Sequence, residues 1–390
     1  MKWGIYFLGL VALVATSCHE ADSNQITLAD PAAFAQTIDN EPVALYTLYA
    51  KGAQNQEEAL SKKAIIVQIT NYGGRIVSLL APDKTGQYAD VALGYSSLDE
   101  YINNTGERYL GPIIGRYGNR IANGQFALDD MVFTVPQNNN GQCLHGGIVG
   151  FDKSPWKVVH VDNNSLTLSL LSPDGTDGFP GNIQTEVRFS LGNDNDLHIC
   201  YTATTDKTTV LNLTDHVFFN LAGEGSGTIL NHILQLNASH FTPVTDVLIP
   251  TGEVANVFGS PFDFRTPTRI GERIDNEDPQ LKNGKGYDHN WVLDRHSDKE
   301  AELAVVLTEP TSGRVLEVFT DQPGIQFYSG NFFSGTAKGK SGKPLAYREG
   351  LALETQKFPD SPNQPQFPST RLEPGETYTH TCIYQFSTTD

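Results

Sequence analysis

Two side chains in this sequence are suited to passing a proton between them. Glu354, in Leu353-Glu354-Thr355-Gln356, offers a carboxylate. His216, in Leu213-Thr214-Asp215-His216-Val217-Phe218-Phe219-Asn220-Leu221, offers an imidazole. One such group accepting a proton while the other gives one is general acid–base chemistry, in which each transfer contributes roughly 10²–10⁴-fold to a rate. Other polar residues stand in stretches that break the strand pattern: the Asn119-Arg120 pair, His145 before Gly146-Gly147, Asp288 and Gln326. Of these, Arg120 and Asp288 could bind hydroxyls through charge-assisted hydrogen bonds, and Phe218 could cover an apolar face of a ligand. Each has a plainer reading on its own: a structural histidine at 216, turn residues at 145 and 288, a solvated strand end at 354.

The elements that must hold these groups are strands. Residues 213–221 alternate, with Leu213, Val217, Phe219 and Leu221 on one face and His216, Phe218 and Asn220 on the other. Asp215 interrupts the apolar face, where burial would be costly without a partner. Residues 64–70 and 75–80 flank Asn71-Tyr72-Gly73-Gly74 as a hairpin. Further β-rich runs fall at 43–49, 125–135, 156–161, 166–171, 184–191, 197–204, 229–236, 303–307, 314–319, 325–328, 351–353 and 377–386. Helical signals are few; Asp30-Pro31 reads as the start of one short helix, and 51–60 as a polar loop. So many short strands with Gly, Asn, Asp and Pro between them predict an all-β sandwich or barrel. Five prolines between 359 and 374 read as an extended surface loop. The stretches 115–121, 143–147, 286–291, 323–331 and 353–356 read as polar, glycine-rich interruptions of the strand pattern.

The chain opens Met1-Lys2, runs apolar from Trp3 to Ala15, and reaches Ala15-Thr16-Ser17-Cys18. That is the form of an export signal, too short for the ~20 apolar residues of a membrane span. The last four residues resemble a bacterial lipoprotein box, with Ala15 where leucine is usual. The expectation is a signal over 1–18, lipidation at Cys18, an N-terminal segment over 19–41, one domain over 42–390, and an exported protein, periplasmic or held to a membrane by its lipid alone. Cys143, Cys200 and Cys382 have no metal-type spacing and read as small buried residues, one disulfide being open to them. A formal net charge of −18 over 390 residues argues against nucleic acid as a partner.

Taken together and in this order, the polar stretches resemble the aldose 1-epimerases, or galactose mutarotases, from about Tyr46 to Phe386. The resemblance also draws on Asp90-Val91-Ala92-Leu93-Gly94-Tyr95 and on residues 174–181 and 330–332. It implies one large antiparallel β-sandwich with an open sugar cleft, the galactose mutarotase-like supersandwich, with few short helices. It implies Glu354 as the base on the anomeric hydroxyl and His216 as the acid on the ring oxygen. Asn119, Arg120, His145, Phe218, Asp288 and Gln326 become contacts to an aldose such as galactose or glucose. Opening and reclosing the ring involves no redox step, so no cofactor or metal is implied. The chain departs from the family pattern at Asp215, where asparagine is usual, and at Phe218, often tyrosine. The alternative is a sugar-binding lipoprotein without turnover. A glycoside hydrolase using Glu354 and Asp288 would leave both histidines unexplained. A metal site from His145, His216 and a carboxylate has no close His-x-His spacing behind it. A sugar-phosphate enzyme would need basic residues beyond Arg116 and Arg120.

Overall fold

The structure, a computed structural model, describes Met1 and residues 27–103, 106–297 and 299–389. The signal over 1–18 and Cys18 therefore lie outside the described residues, Met1 apart. No described helix is long and apolar enough to cross a membrane.

Antiparallel sheets make up the fold. The largest has nine strands, in the order Lys157–Val161, Ser165–Ser172, Ile183–Leu191, Asp196–Thr205, Tyr378–Thr388, Arg314–Thr320, Glu302–Thr308, Ile233–Leu236 and Thr268–Arg269. A six-stranded sheet runs Phe218–Phe219, Leu351–Gln356, Gly324–Tyr328, Asp288–Val292, His240–Thr242 and Ala255–Asn256. A four-stranded sheet runs Leu45–Tyr49, Ile66–Thr70, Arg75–Pro82 and Tyr88–Asp90. The period-two pattern decides how the six-stranded sheet is used. Its rear face sends Leu351, Leu353, Ile325, Phe327 and Trp291 into one apolar cluster with Val187, Ile199, Leu316 and Val318 of the large sheet. Each such side chain, fully buried, stabilises by about 1.5–3 kcal/mol before the entropy of ordering is counted. Its front face carries Phe218, Tyr328 and Ala352 into a second cluster with Phe34 and Tyr101, and carries Glu354, Gln326 and Asp288 beside them.

The all-β sandwich expectation holds, as does the hairpin at 71–74. Several local expectations differ. Residues 213–221 are not one strand: Thr214–Asp215 pairs with Ile113–Ile114, and Phe218–Phe219 pairs with Leu351–Gln356. The chain changes sheets at His216, so both faces of the stretch are buried. Residues 125–135 form a hairpin of Gln125–Leu128 with Met131–Thr134. The polar loop at 51–60 contains a helix, Gln56–Ser61, capped by Asn55, whose side chain accepts from the Glu58 N–H. Asp30 does cap a helix, but a 3₁₀ turn, Pro31–Phe34. The proline-rich tail is no solvated loop, since Phe358, Asp360, Phe367 and Thr370 are buried. Cys143 and Cys382 are buried, Cys200 is half-buried, and all three are free thiols.

Candidate active site

Three neighbouring strands place Glu354, Gln326 and Asp288, and they do so as strands rather than as the interruptions read from sequence. Glu354 lies opposite Gln326, and Gln326 opposite Asn290. One step along, Phe218, Ala352, Tyr328 and Asp288 form a second row across the same face. The small Ala352 lets Phe218 and Tyr328 meet edge to face at 5.7 Å between ring centroids. His216 sits where the chain changes sheets. Its N–H donates to Pro112 O at 2.9 Å, and its carbonyl accepts from Gly111 N at 2.9 Å. Those two bonds hold its backbone so that Nε2 comes 3.5 Å from Glu354 Oε1.

A second unit supplies Asn119, Arg120 and His145. Arg120–Ile121 pairs with Cys143–Leu144, and the two residues that face each other at one end of that ladder turn sharply, with φ of +64° at Asn119 and +50° at His145. They hold each other there. The His145 N–H donates to Asn119 O at 2.9 Å, and the Asn119 N–H donates to His145 Nδ1 at 3.2 Å. Next comes Gly146 at φ +81°, where a Cβ would stand 2.0 Å from Gly115 O, so only glycine fits. Arg108 secures the following loop: its guanidinium donates to both carboxylate oxygens of buried Asp152 at 2.8 Å and to the carbonyls of Gly147 and Ile148. The Asp177 carboxylate accepts from the N–H groups of Ile148, Val149 and Gly150. With these supports the His145 ring stands perpendicular to that of His216, 5.0 Å away.

These groups surround a cavity of about 300 Å³. Asn119, Arg120, His145, His216, Phe218, Asp288 and Glu354 all line it. Gln326 does not; its Nε2 donates to Asp288 Oδ1 at 2.7 Å, so it orients that carboxylate rather than reaching the cavity. Sequence reasoning missed Glu107, Tyr109, Asn139, Leu248 and Tyr328, which also line it. Tyr109 packs at 4.6 Å against His145 and at 6.0 Å from His216, yet nothing in the stretch before Leu110 marks it. Tyr328 could have been found from the strand period, two residues on from Gln326.

Burial controls the electrostatics. Loss of water pushes the Glu354 carboxyl well above the usual range, and the neighbouring charges of Asp288 and Asp215 add to this while Arg120 opposes it. Asp288 is raised for the same first reason, with Arg120 and Gln326 opposing. Burial carries His216 down to about 3 and holds His145 well below its ordinary value. A carboxylate made more basic beside an imidazole made more acidic is the direction proton exchange needs.

The ligating atoms of His145, His216 and Glu354 lie within 4.8 Å of one another, a set of the kind that holds zinc. The tautomer argues against that use. The Asn119 N–H occupies Nδ1, so the proton of the neutral ring is on Nε2, which then has no lone pair to give. Arg116, the other cation considered for a phosphate, is buried and spent on Ser172 and the carbonyls of residues 172, 173, 180 and 181.

The model of the aldose 1-epimerase family matches residues 59–385. The chain belongs to the aldose 1-epimerase family. Relatives within the family include the galactose mutarotase of Bos taurus, 42% identical over 84% of this chain and 93% of that protein. The aldose 1-epimerase of Escherichia coli is 37% identical over 89% and 96%. Among solved structures, the GalM/aldose epimerase homologue of C. elegans superposes with a TM-score of 0.79 at 28% identity, over 89% of this chain and all of that one. A galactose 1-epimerase from Lactobacillus acidophilus gives 0.76 at 27% identity, over 92% and 98%. The supersandwich expected from the sequence is thus the fold of the family, and an isomerase is the enzyme class.

Proposed function

We propose that Glu354 and His216 are the acid–base pair of an aldose 1-epimerase acting on free aldohexoses such as galactose and glucose. The observation that carries this is their 3.5 Å approach on the cavity wall. In the form of the pair that carries its one proton on His216, Glu354 takes the proton of the anomeric hydroxyl while His216 protonates the ring oxygen. The bond from C1 to the ring oxygen breaks, and an open aldehyde forms. C1 then rotates about the bond to C2, and the two transfers run in reverse on the other face. The enzyme ends each turnover in the protonation state in which it began. His145, with its proton on Nε2, can only donate, and supports an oxygen near C1. Arg120, Asn119 and Asp288 hold the other hydroxyls, and Phe218 covers an apolar face of the ring. Names of relatives such as the galactose mutarotase support galactose as a substrate.

The test is polarimetry on fresh α-galactose and α-glucose. Glu354→Gln is expected to lower kcat by at least about a hundredfold with binding of the sugar retained, and His216→Asn to behave alike. Binding with no rate above buffer in the wild type would favour the non-catalytic sugar-binding reading instead. We further propose that residues 1–18 direct export and that Cys18 carries lipid, which keeps the enzyme exported, in the periplasm or on a bacterial membrane. Cys18→Ser should then release it from the membrane fraction. The net charge of −18 keeps nucleic acid outside its set of partners.

A further inference from the structure

A polar seam crosses the apolar space between the large sheet and the two segments that carry the acid and the base. Tyr384 Oη donates to Asp215 Oδ1 at 2.6 Å, and Tyr201 Oη donates to Asp215 Oδ2 at 3.1 Å. The same Tyr384 hydroxyl lies 3.3 Å from Leu353 O. His380 makes a second bridge, donating from Nδ1 to Leu213 O at 3.1 Å and accepting at Nε2 from the Thr355 hydroxyl at 2.9 Å. Tyr201 stacks on His380 at 4.6 Å and 15°. Asp215, Tyr201, His380 and Tyr384 are each at most 1% exposed.

A buried carboxylate is weak evidence for stability as such, since apolar groups of similar volume often replace buried polar networks without loss. What the seam touches is informative. Asp215 is the residue before His216. Leu353 and Thr355 flank Glu354. Each bridge therefore joins the segment that carries the acid to the strand that carries the base, one from the Asp215 carboxylate to Leu353 O and one from Leu213 O to the Thr355 hydroxyl, through one strand, Tyr378–Thr388. We infer that Asp215, held by Tyr201 and Tyr384, is a positioning residue that sets His216 against Glu354 from the core side.

Its charge acts in the same direction. Glu354 faces Asp288, Arg120 and His216 across the cavity, and Asp215 from behind. Asp215 in turn faces the two tyrosine hydroxyls and Cys382. Burial raises Asp215 to about 6, and its two tyrosine donors pull the other way, toward the ionised form. A negative charge behind Glu354 makes the proton shared by the pair harder to lose.

This inference rests on the acid–base reading, and one set of experiments on the full chain separates the two. Asp215→Asn, which removes the charge, should move the alkaline limb of kcat to lower pH by about half a unit or more. Asp215→Ala, which removes the anchor, should lower kcat about tenfold or more while KM stays within about twofold. Tyr384→Phe should lose about threefold in kcat, and the Ala–Phe double variant should be no slower than Asp215→Ala alone, because both act through one network. Should Asp215→Ala not fold, Tyr384→Phe and Tyr201→Phe carry the test through the same kcat loss at constant KM. An active wild type whose folded Asp215 and Tyr384 variants keep its kcat and its alkaline limb overturns the inference alone. A wild type inert on every aldose overturns the acid–base reading, and the inference with it.

Discussion

At His145 the backbone decides what the ring can do. The Asn119 N–H at Nδ1 fixes the proton on the nitrogen toward the cavity, so the residue is a standing donor and no base. The other histidine is different: His216 Nδ1 and Glu354 Oε2 have no hydrogen-bond partner among the described residues, and both wait for a substrate. Because burial carries His216 down to about 3 and Glu354 up, the two shifts widen the range of pH over which the pair holds one proton. The rate should fall when the pair gains a second proton, below the ordinary imidazole range of ~6.5. It should fall again when the pair loses its only proton, above the ordinary carboxylate range of ~4.3. The two limbs belong to the pair and not to either residue. A kcat profile by polarimetry should be bell-shaped with a plateau across neutral pH; one break at the value of a free histidine would contradict the shared proton. Most of these residues were legible because their motifs occur in a known order. Gln326, assigned to the sugar, donates from Nε2 to Asp288, a contact that depends on a side-chain rotamer and leaves no trace in sequence.

Strands whose pairing runs for eight or more residues were legible, because alternation over that length has few other causes; 166–171, 184–191 and 197–204 came out close to Ser165–Ser172, Ile183–Leu191 and Asp196–Thr205, whereas the five-residue Asp288–Val292 was read as an interruption. The pieces that build the site were not. Arg120–Ile121, Cys143–Leu144, Thr214–Asp215 and Phe218–Phe219 have two residues each, too few to show a period. The helices Gln56–Ser61, Leu98–Asn103 and Pro279–Gly284 have six residues, less than two turns, and rest on packing rather than propensity. The loop after His145 shows how such short elements are held. Arg108, about a quarter exposed, is the two-pronged partner of a carboxylate that is 1% exposed. Arg108→Ala leaves Asp152 buried without its cation and should cost about 3 kcal/mol in a denaturant melt. It should also lower kcat more than a surface substitution of equal cost, since the loop carries His145.

Across the whole molecule, the cavity draws on segments near 119, 145, 216, 288 and 354, which only the packed sheets bring together. Even the proline-rich tail takes part. The Asp360 N–H donates to Arg120 O at 2.8 Å, and its carboxylate accepts from Ala122 N at 2.8 Å, so the C-terminal region holds the cavity-lining arginine in place. Long-range joins of this kind are what a single sequence read locally cannot show, and the tail was misread for that reason. Enclosure by the packed sheets has a last effect. Free sugars in water change anomer by borrowing protons from whatever acids and bases the solution holds. His216 and Glu354 are only 4% and 2% exposed, and the proton each gives up in one half of the turnover comes back to it in the other. The protein thus encloses a self-contained proton circuit. Its rate, measured at fixed pH and ionic strength, should stay level as phosphate or imidazole buffer is raised tenfold, while the background reaction in the same cuvette climbs.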